Sequence, residues 1–252
     1  MSTPQDWAIA ACDVGQGDAV LLRSAGRVAL IDTGPDPAPL HACLSALGVD
    51  RIDLLIITHF DLDHFGGTDA VIGRVGVVLH GPVGAESDRR LLEQLAASGA
   101  QVVEGFAGQH GTLGGAGWQV LWPQRDTRGF EVGNDTSLVL EFGGGGLPRT
   151  LLLGDLGASS QRQLLGGGRV RGPYAIVKIA HHGSRDQEPA LYAEARPAVA
   201  LFTVGENTYG HPHPDALAMV DGAHILRTDL QGRVLLRAEE DALTLWAERP
   251  AG

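Results

Sequence analysis

Several apolar runs in this chain stop at residues able to bind a metal ion, and this pattern constrains the fold most. The run Leu54-Leu55-Ile56-Ile57 carries no charge and is typical of a buried strand. Four ligand-type residues follow it closely: His59, Asp61, Asp63 and His64. Further strand-like runs stop at Asp155 and at His181-His182. Because binding groups collect at the carboxyl ends of strands in α/β proteins, we expect these strand ends to meet at one edge.

Two stretches of the chain share the same order of predicted elements. Each begins with hairpin-like strands and continues with strands that alternate with helices, such as those predicted over 89–98 and 189–195. This order predicts an α/β fold in which two mixed β-sheets pack face to face with helices on the outside. The glycine-rich stretches 143–146 and 166–168 do not interrupt the spacing of the strands. A single domain over residues 1–252 is therefore expected.

Charge and composition narrow the class of protein. The chain has 19 Lys and Arg against 30 Asp and Glu, which gives a net charge of −11. This charge does not support a broad basic surface for duplex DNA. The N-terminal residues lack the pattern of a signal peptide, and no apolar run approaches the length of a membrane span. A cytoplasmic protein without a membrane segment is therefore expected.

The chain has two cysteines, Cys12 and Cys43. Both lie in apolar surroundings, and neither belongs to a CxxC pair. We predict that both are small buried hydrophobic residues, with neither a disulfide nor a thiolate metal site.

The number of candidate ligands indicates two metal ions. The strand ends offer His59, Asp61, Asp63, His64, Asp155, one or both of His181 and His182, and one of His211 and His213. One tetrahedral ion needs fewer ligands than this. Two divalent ions about 3.5–4 Å apart that share a carboxylate would use the set, and Asp155 is the natural shared ligand because it stands alone at its strand end. Such a pair favours hydrolysis of a phosphodiester, ester or amide through a metal-bound hydroxide.

These residues belong to motifs that resemble the metallo-β-lactamase superfamily. The central motif is HxDxDHxGG at 59–67, with a later GD at 154–155 and AHHGS at 180–184. Four flanking signatures resemble the soluble hydrolase domain of ComEC-type competence proteins and its free-standing relatives: DVGQGDA at 13–19, IDTGP at 31–35, NDTSLVL at 134–140 and VGENTYGHPHP at 204–214. The resemblance covers about residues 8 to 236 and implies an αββα sandwich.

The resemblance implies how the ligands divide between the two ions. His59 and Asp61 would hold the first ion, Asp63 and His64 would hold the second, and Asp155 would bridge them. The common motif of the family is HxHxDH, so Asp61 stands where a histidine is usual. Because a carboxylate oxygen is a harder ligand than an imidazole nitrogen, Zn²⁺ and Mn²⁺ are both expected as the native metal.

The remaining ligands are also implied by the resemblance. The third ligand of the first ion would fall near 134–136, and three residues are candidates for it: Asn134, Asp135 and His182. His211 is expected to complete the second ion. For Asp32 and His213, both direct binding of an ion and support of the site are open, and support is favoured.

Other residues are assigned to catalysis or to substrate binding. The catalytic candidates are Asp63, His181 and His182, and the substrate-binding candidates are Ser184, Tyr209 and Lys178. Lys178 is expected either to meet a phosphate or to be partly buried and paired. Three turn residues either form a tight turn or support the site: Asp13, Gln16 and Asp18.

The leading hypothesis is a binuclear metal-dependent hydrolase, a phosphodiesterase or nuclease. Its partner would be a small-molecule or nucleic-acid phosphodiester. Two alternatives remain at this point. One is a hydrolase of a small ester, lactone or thioester, and the other is a non-catalytic regulator that binds metal.

Overall fold

A computed structural model describes residues 3–239 and 242–249 of the chain. The strands are β1 (Ile9–Ala11), β2 (Val20–Ser24), β3 (Arg27–Ile31), β4 (Ile52–Ile57), β5 (Val75–His80), β6 (Gln101–Glu104), β7 (His110–Leu113), β8 (Ala116–Trp122), β9 (Val139–Gly144), β10 (Leu147–Leu152), β11 (Ile176–Lys178), β12 (Val199–Phe202), β13 (His224–Arg227), β14 (Val234–Ala238) and β15 (Leu243–Ala247). The α-helices are α1 (Pro37–Ala46), α2 (Leu62–Phe65), α3 (Glu86–Ala97), α4 (Ala158–Gly166), α5 (Pro189–Ala195), α6 (Pro214–Ala218) and α7 (Thr228–Gln231). Short 3₁₀ helices cover Thr68–Ala70, Asn134–Thr136 and Ala180–Gly183.

The strands form two mixed sheets. The first sheet has the order β15-β14-β1-β2-β3-β4-β5-β6, and the second has the order β13-β12-β11-β10-β9-β8-β7. Strands β3 to β6 are parallel to one another, as are β10 to β13, while the other neighbouring pairs are antiparallel. Each parallel part places its carboxyl ends at one edge of its sheet.

Apolar side chains fill three layers. One layer lies between the sheets and includes Ile56, Leu140 and Phe142. A second layer packs α1 and α3 onto the outer face of the first sheet, and a third packs α4 and α5 onto the outer face of the second. The predicted αββα sandwich is confirmed. Strand β4 is buried on both faces, which explains its unbroken apolar run.

The two cysteines do not remain free. Cys12 and Cys43 form a disulfide, with their Cα atoms 5.9 Å apart. The prediction of two unpaired thiols is therefore wrong. The residues are 31 positions apart, and only the packing of α1 against the sheet brings them together. Spacing along the chain carries no sign of that packing.

Helix α1 begins at signals that the sequence contains. The carboxylate of Asp36 accepts a hydrogen bond from the Ala38 N–H at 2.9 Å, and Pro37 occupies the first turn. By contrast, the sequence pattern predicts neither α2 nor β7. Among the described residues, no helix combines the length and the apolar composition needed to cross a bilayer.

Candidate metal centre

Strand ends from both sheets meet at one edge of the sandwich. In the first sheet, β3 runs into Asp32 and β4 runs into Thr58. In the second sheet, β10 leads to Asp155, β11 ends at Lys178 and β12 leads to Thr203. These strands all belong to the parallel parts, so their carboxyl ends point the same way.

Four side chains converge at this edge, and we call Asp63, His64, Asp155 and His182 the buried cluster. Each offers one ligand atom, and these atoms all lie within 4.8 Å of one another. The Oδ2 atom of Asp155 lies 3.1 Å from His64 Nε2 and 3.2 Å from His182 Nε2. Asp63 Oδ2 lies 3.2 Å from His182 Nε2. Two carboxylates and two imidazoles thus face a common point.

Hydrogen bonds behind the imidazoles set their orientation. His64 donates from Nδ1 to Asp32 Oδ2 at 2.8 Å, and His182 donates from Nδ1 to the carbonyl oxygen of Thr203 at 2.7 Å. With Nδ1 held from behind, the Nε2 atom of each ring faces a carboxylate of the centre, to which it donates only while it carries a proton. A metal ion would take the place of that proton and bind the Nε2 lone pair, the arrangement that metal-binding histidines need.

The same network reaches His59. Asp32 is fully buried and accepts hydrogen bonds from Thr58 N and Thr58 Oγ1, both at 2.7 Å. Because Thr58 Oγ1 donates to Asp32, it accepts from His59 Nδ1 at 3.1 Å. The Nε2 atoms of His59 and His64 are buried and lie 3.5 and 3.1 Å from carboxylate oxygens of Asp61 and Asp155, but among the described residues neither makes a well-aligned hydrogen bond. Buried nitrogens that are poorly satisfied are costly, and a bound cation would satisfy them. The donor set therefore fits divalent metal ions.

Lys178, the only lysine of the chain, lies directly behind the buried cluster. It is 1% exposed, and its ammonium forms an ion pair with Asp18, which is equally buried. Its Nζ also donates to the Gly154 carbonyl oxygen at 3.0 Å and lies 3.4 Å from Asp155 Oδ1. One oxygen of Asp155 is thus held by Lys178, and the other faces the imidazoles. Lys178 does not line the cavity, so of its two expected roles the structure shows the buried ion pair and not the contact with a substrate phosphate.

The electrostatic field at the buried cluster favours positive charge. Burial alone would lower the pKa of His64 and of His182, but nearby carboxylates, Asp155 foremost, raise both well above the usual value. Burial alone would raise the pKa of Asp155, but His182, His64 and Lys178 hold it well below its usual value. Asp155 therefore stays ionised, and its surroundings attract a cation.

The first-ion side is more open, and we call His59, Asp61, Asn134 and Asp135 the open cluster. His59 Nε2 lies 3.5 Å from Asp61 Oδ2, and the Asp61 side chain is 55% exposed. Asn134 and Asp135 line a cavity of about 370 Å³ together with Asp61. One oxygen of Asp135 accepts a hydrogen bond from Ser160 Oγ at 2.9 Å. His182, the third candidate for this side, lies in the buried cluster instead.

A second cavity, of about 410 Å³, opens directly over the buried cluster. His181, Tyr209 and His211 line it. His211, which the resemblance assigns to the second ion, does not belong to the buried cluster; its ring centroid lies 5.6 Å from that of His181. Burial lowers the pKa of both imidazoles, so both are neutral at neutral pH.

The backbone at the histidine pair is unusual. His181 has φ 49° and His182 has φ 52°, and Asp32 has φ 59°. Residues other than glycine rarely adopt this left-handed conformation, and it tends to occur at functional sites. Here it turns the chain sharply after β11, so that His182 points into the buried cluster while His181 lines the cavity.

Several predicted residues play smaller parts in the geometry. Ser184 is buried, and its Oγ accepts a hydrogen bond from the Asp186 N–H at 3.0 Å. His213 accepts from the Asp215 N–H at 3.1 Å and so caps α6. Neither of these side chains lines the 410 Å³ cavity.

The turn at 13–19 packs against the ligands. A Cβ atom on Gly17 would lie 2.3 Å from the carbonyl oxygen of Asp63, so only glycine permits this approach. The next residue, Asp18, pairs with Lys178 and accepts a hydrogen bond from Thr203 Oγ1. The turn was expected either to be only a tight turn or to support the site, and Asp18 supports the site. Asp13 instead pairs with Arg249 near the surface, at 3.0 Å.

Three residues that position the site were missed from the sequence: Thr58, Thr203 and Asn207. Asn207 Oδ1 accepts from the N–H groups of Tyr209 and His211 at 3.1 and 3.0 Å, which holds the loop that carries both. Asn207 lies within the VGENTYGHPHP signature, which could have indicated that it positions Tyr209 and His211. Thr203 contributes a backbone carbonyl, for which a side-chain pattern offers no signal.

Comparison with known proteins agrees with this geometry. The sequence profile of the metallo-beta-lactamase superfamily matches residues 12–187. The chain is 31% identical to competence protein ComA of Neisseria gonorrhoeae over 89% of its own length, and 27% identical to ComE operon protein 3 of Bacillus subtilis over the same share. It covers 31% and 32% of those proteins, so it spans about a third of the length of each relative.

A solved structure shares the fold. CmlA, a diiron β-hydroxylase from Streptomyces venezuelae, superposes with a TM-score of 0.67 at 19% identity. The match covers 94% of this chain and 55% of that one. At this identity, the likeness shows the fold alone.

Proposed function

Because this chain belongs to the metallo-β-lactamase superfamily, we propose that it is a binuclear metal-dependent hydrolase that cleaves phosphodiesters. The observation that carries the proposal is the set of three imidazoles, His59, His64 and His182, each with its Nδ1 engaged from behind and its Nε2 directed at the centre. Oriented nitrogens of this kind, beside ionised carboxylates, favour divalent metal ions.

Charge balance supports two ions. Five carboxylates lie in or directly behind the centre: Asp18, Asp32, Asp61, Asp63 and Asp155. Lys178 contributes the single ammonium among them. When His64 and His182 bind metal as neutral imidazoles, the remaining four negative charges equal the charge of two divalent ions, whereas a single ion would leave two carboxylate charges uncompensated.

The buried cluster would hold one ion, and His59 and Asp61 would hold the other, with Asp155 between them. Bound divalent ions supply positive charge for phosphoryl oxygens and make water a stronger nucleophile. His181 is neutral at neutral pH and lines the cavity, so we assign it to orienting the substrate through an N–H donor. Zn²⁺ and Mn²⁺ both remain candidates, since Asp61 adds an oxygen ligand to a histidine-rich set.

The test uses protein stripped of metal and reloaded with Mn²⁺ or Zn²⁺. We expect metal-dependent hydrolysis of bis(p-nitrophenyl) phosphate and binding of two metal ions per chain. Asp63→Ala should lose most of the activity, and it should bind one metal ion per chain fewer than the wild type. The matched control is Asp69→Ala, an exposed aspartate six positions further along, which should retain both. The proposal fails if the reloaded wild type cleaves neither this diester nor single-stranded DNA, or if Asp63→Ala behaves like the control.

A further inference from the structure

The mouth of the metal centre consists of two adjoining cavities, of about 410 and 370 Å³. They share Asp61 and His181, so a ligand bound over the buried cluster has space in both cavities. Metal ions would bind the phosphodiester group itself. The side chains at this mouth would contact the groups attached to it and so select among different phosphodiesters.

Exposed apolar side chains concentrate at this mouth. Among the described residues, four large hydrophobic side chains are exposed: Leu62 (65%), Val132 (42%), Tyr209 (75%) and Leu230 (60%). Leu62 and Tyr209 line the larger cavity, and Val132 lines the smaller one. Exposed apolar groups that collect around a cavity indicate contact with an apolar part of a ligand.

The position of Tyr209 is fixed by its backbone. Asn207 binds the N–H groups on either side of the turn, so the ring projects from a braced loop. Its centroid lies 5.7 Å from that of His211, at an interplanar angle of 31°. The ring therefore offers a flat face beside the metal centre, suited to packing against a planar group.

The charges at the mouth oppose a polyanion. No lysine or arginine lines either cavity within the part of the chain that the structure describes. The smaller cavity carries two carboxylates that are not candidate metal ligands, Glu131 and Asp186, beside Asp61 and Asp135. The nearby Arg185 is engaged by Asp215 at 3.1 Å. Proteins that bind nucleic-acid strands use cationic grooves that follow the phosphates, and this mouth has the opposite sign.

We infer that this centre acts on a small phosphodiester that carries one negative charge and a flat apolar or aromatic group packed against Tyr209 and Leu62, in preference to a nucleic-acid strand. The inference rests on the proposed function, because it names the substrate class of the same site. It depends on different residues, namely Leu62, Glu131, Asp186 and Tyr209, which lie at the mouth and are not assigned as metal ligands.

The test compares kcat/KM for release of p-nitrophenolate from bis(p-nitrophenyl) phosphate and from a 20-nucleotide single strand whose terminal phosphate is esterified with p-nitrophenol. The Mn²⁺-loaded protein is used, and the leaving group is the same in both substrates. We expect the aromatic diester to be preferred. Tyr209→Ala should raise its KM by about tenfold with little change in kcat, because stacking on an aromatic ring is lost. The matched control is Leu230→Ala, because Leu230 is the fourth exposed hydrophobic residue and lines neither cavity; this variant should leave KM unchanged.

Two further measurements address charge. At low salt, a fluorescein-labelled single strand should show no rise in anisotropy with metal-free wild type, a readout that needs no turnover. The double variant Glu131→Gln, Asp186→Asn should improve cleavage of the strand more than cleavage of the diester. Preferred cleavage of the strand, a fall in its cleavage with added salt, or an unchanged KM in Tyr209→Ala would each overturn the inference. Absence of turnover on both substrates would instead overturn the proposed function.

Discussion

The buried cluster and the open cluster belong to one candidate centre but differ in the support behind their ligands. In the buried cluster, His64 is held by Asp32, His182 by the Thr203 carbonyl and Asp155 by Lys178. In the open cluster, Asp61 is 55% exposed and starts α2 without a side-chain cap, and one oxygen of Asp135 is already bound by Ser160. Ligands braced in this way lose little freedom when an ion binds, whereas exposed ligands must first become ordered.

This difference indicates two classes of metal site. We expect one ion to bind tightly at the buried cluster and the other to bind more weakly at the open cluster.

Asp155→Ala removes the carboxylate that the two sides would share. We expect kcat/KM for bis(p-nitrophenyl) phosphate to fall by about 10⁴-fold, since metal ions contribute several kcal/mol of transition-state stabilisation. Metal analysis should show loss of both ions. Asp50→Ala, an exposed carboxylate away from the strand ends, is the control. Retention of the tight ion in Asp155→Ala would show that the two sides do not depend on this residue.

Lys178→Met leaves the buried carboxylates of Asp18 and Asp155 without their ammonium. We expect the free energy of unfolding of the metal-free protein, measured with urea, to fall by about 3–5 kcal/mol. Burial lowers the pKa of Lys178, but the two carboxylates raise it above its usual value overall. The contribution of Lys178 to the free energy of unfolding is therefore fully present below the ordinary lysine pKa. It is lost only as the pH rises through the raised pKa of the folded protein.

The control for this variant is Arg27→Met. Arg27 pairs with Asp53 at 2.8 Å, but its side chain is 63% exposed, so the expected loss is below about 1 kcal/mol. Equal losses in the two variants would contradict the role assigned to Lys178.

Asp32→Asn weakens the hydrogen bond that His64 donates, while the side chain at position 32 keeps its shape. We expect the affinity of the tight ion to fall by about 10–100-fold, because partners behind metal-binding histidines contribute this much. Competition with a chromophoric chelator measures the change. Asp36→Asn is the control, since asparagine also caps a helix. A loss of affinity for the weak ion alone would contradict the role of Asp32 in supporting the buried cluster.

Asp61→His replaces an exposed oxygen ligand of the open cluster by an imidazole. We expect the weak ion to shift its preference from Mn²⁺ toward Zn²⁺ by about tenfold, with no change at the tight ion. Titration of the metal-free protein with Mn²⁺ and with Zn²⁺ measures the preference. Asp69→His is the control and should leave it unchanged. A change at the tight ion alone would mean that Asp61 does not belong to the open cluster.

The sequence was sufficient to predict the sandwich and the region of the centre. Apolar runs such as 54–57 mark buried strands, and their polar ends mark the edge where parallel strands terminate. Asp63, His64 and Asp155 were named as ligands for this reason, and the structure brings all three together. The ligand roles themselves remain proposals until metal binding is measured.

Contacts between distant parts of the chain could not be predicted. Asp18 meets Thr203 across 185 residues, and Cys12 meets Cys43 across 31. The grouping of His182 with the buried cluster depends on the left-handed turn after β11. These outcomes depend on sheet register and on packing of helices, for which residue spacing carries no information.

The αββα fold and the kinds of ligand follow from strand periodicity and strand-end chemistry, which are local properties of the chain. Three features instead depend on the packing of elements: which ligands are braced, the burial of the only lysine behind Asp155, and the apolar and acidic side chains around the mouth. Burial and neighbouring charge arise from this packing because it joins residues that are far apart along the chain.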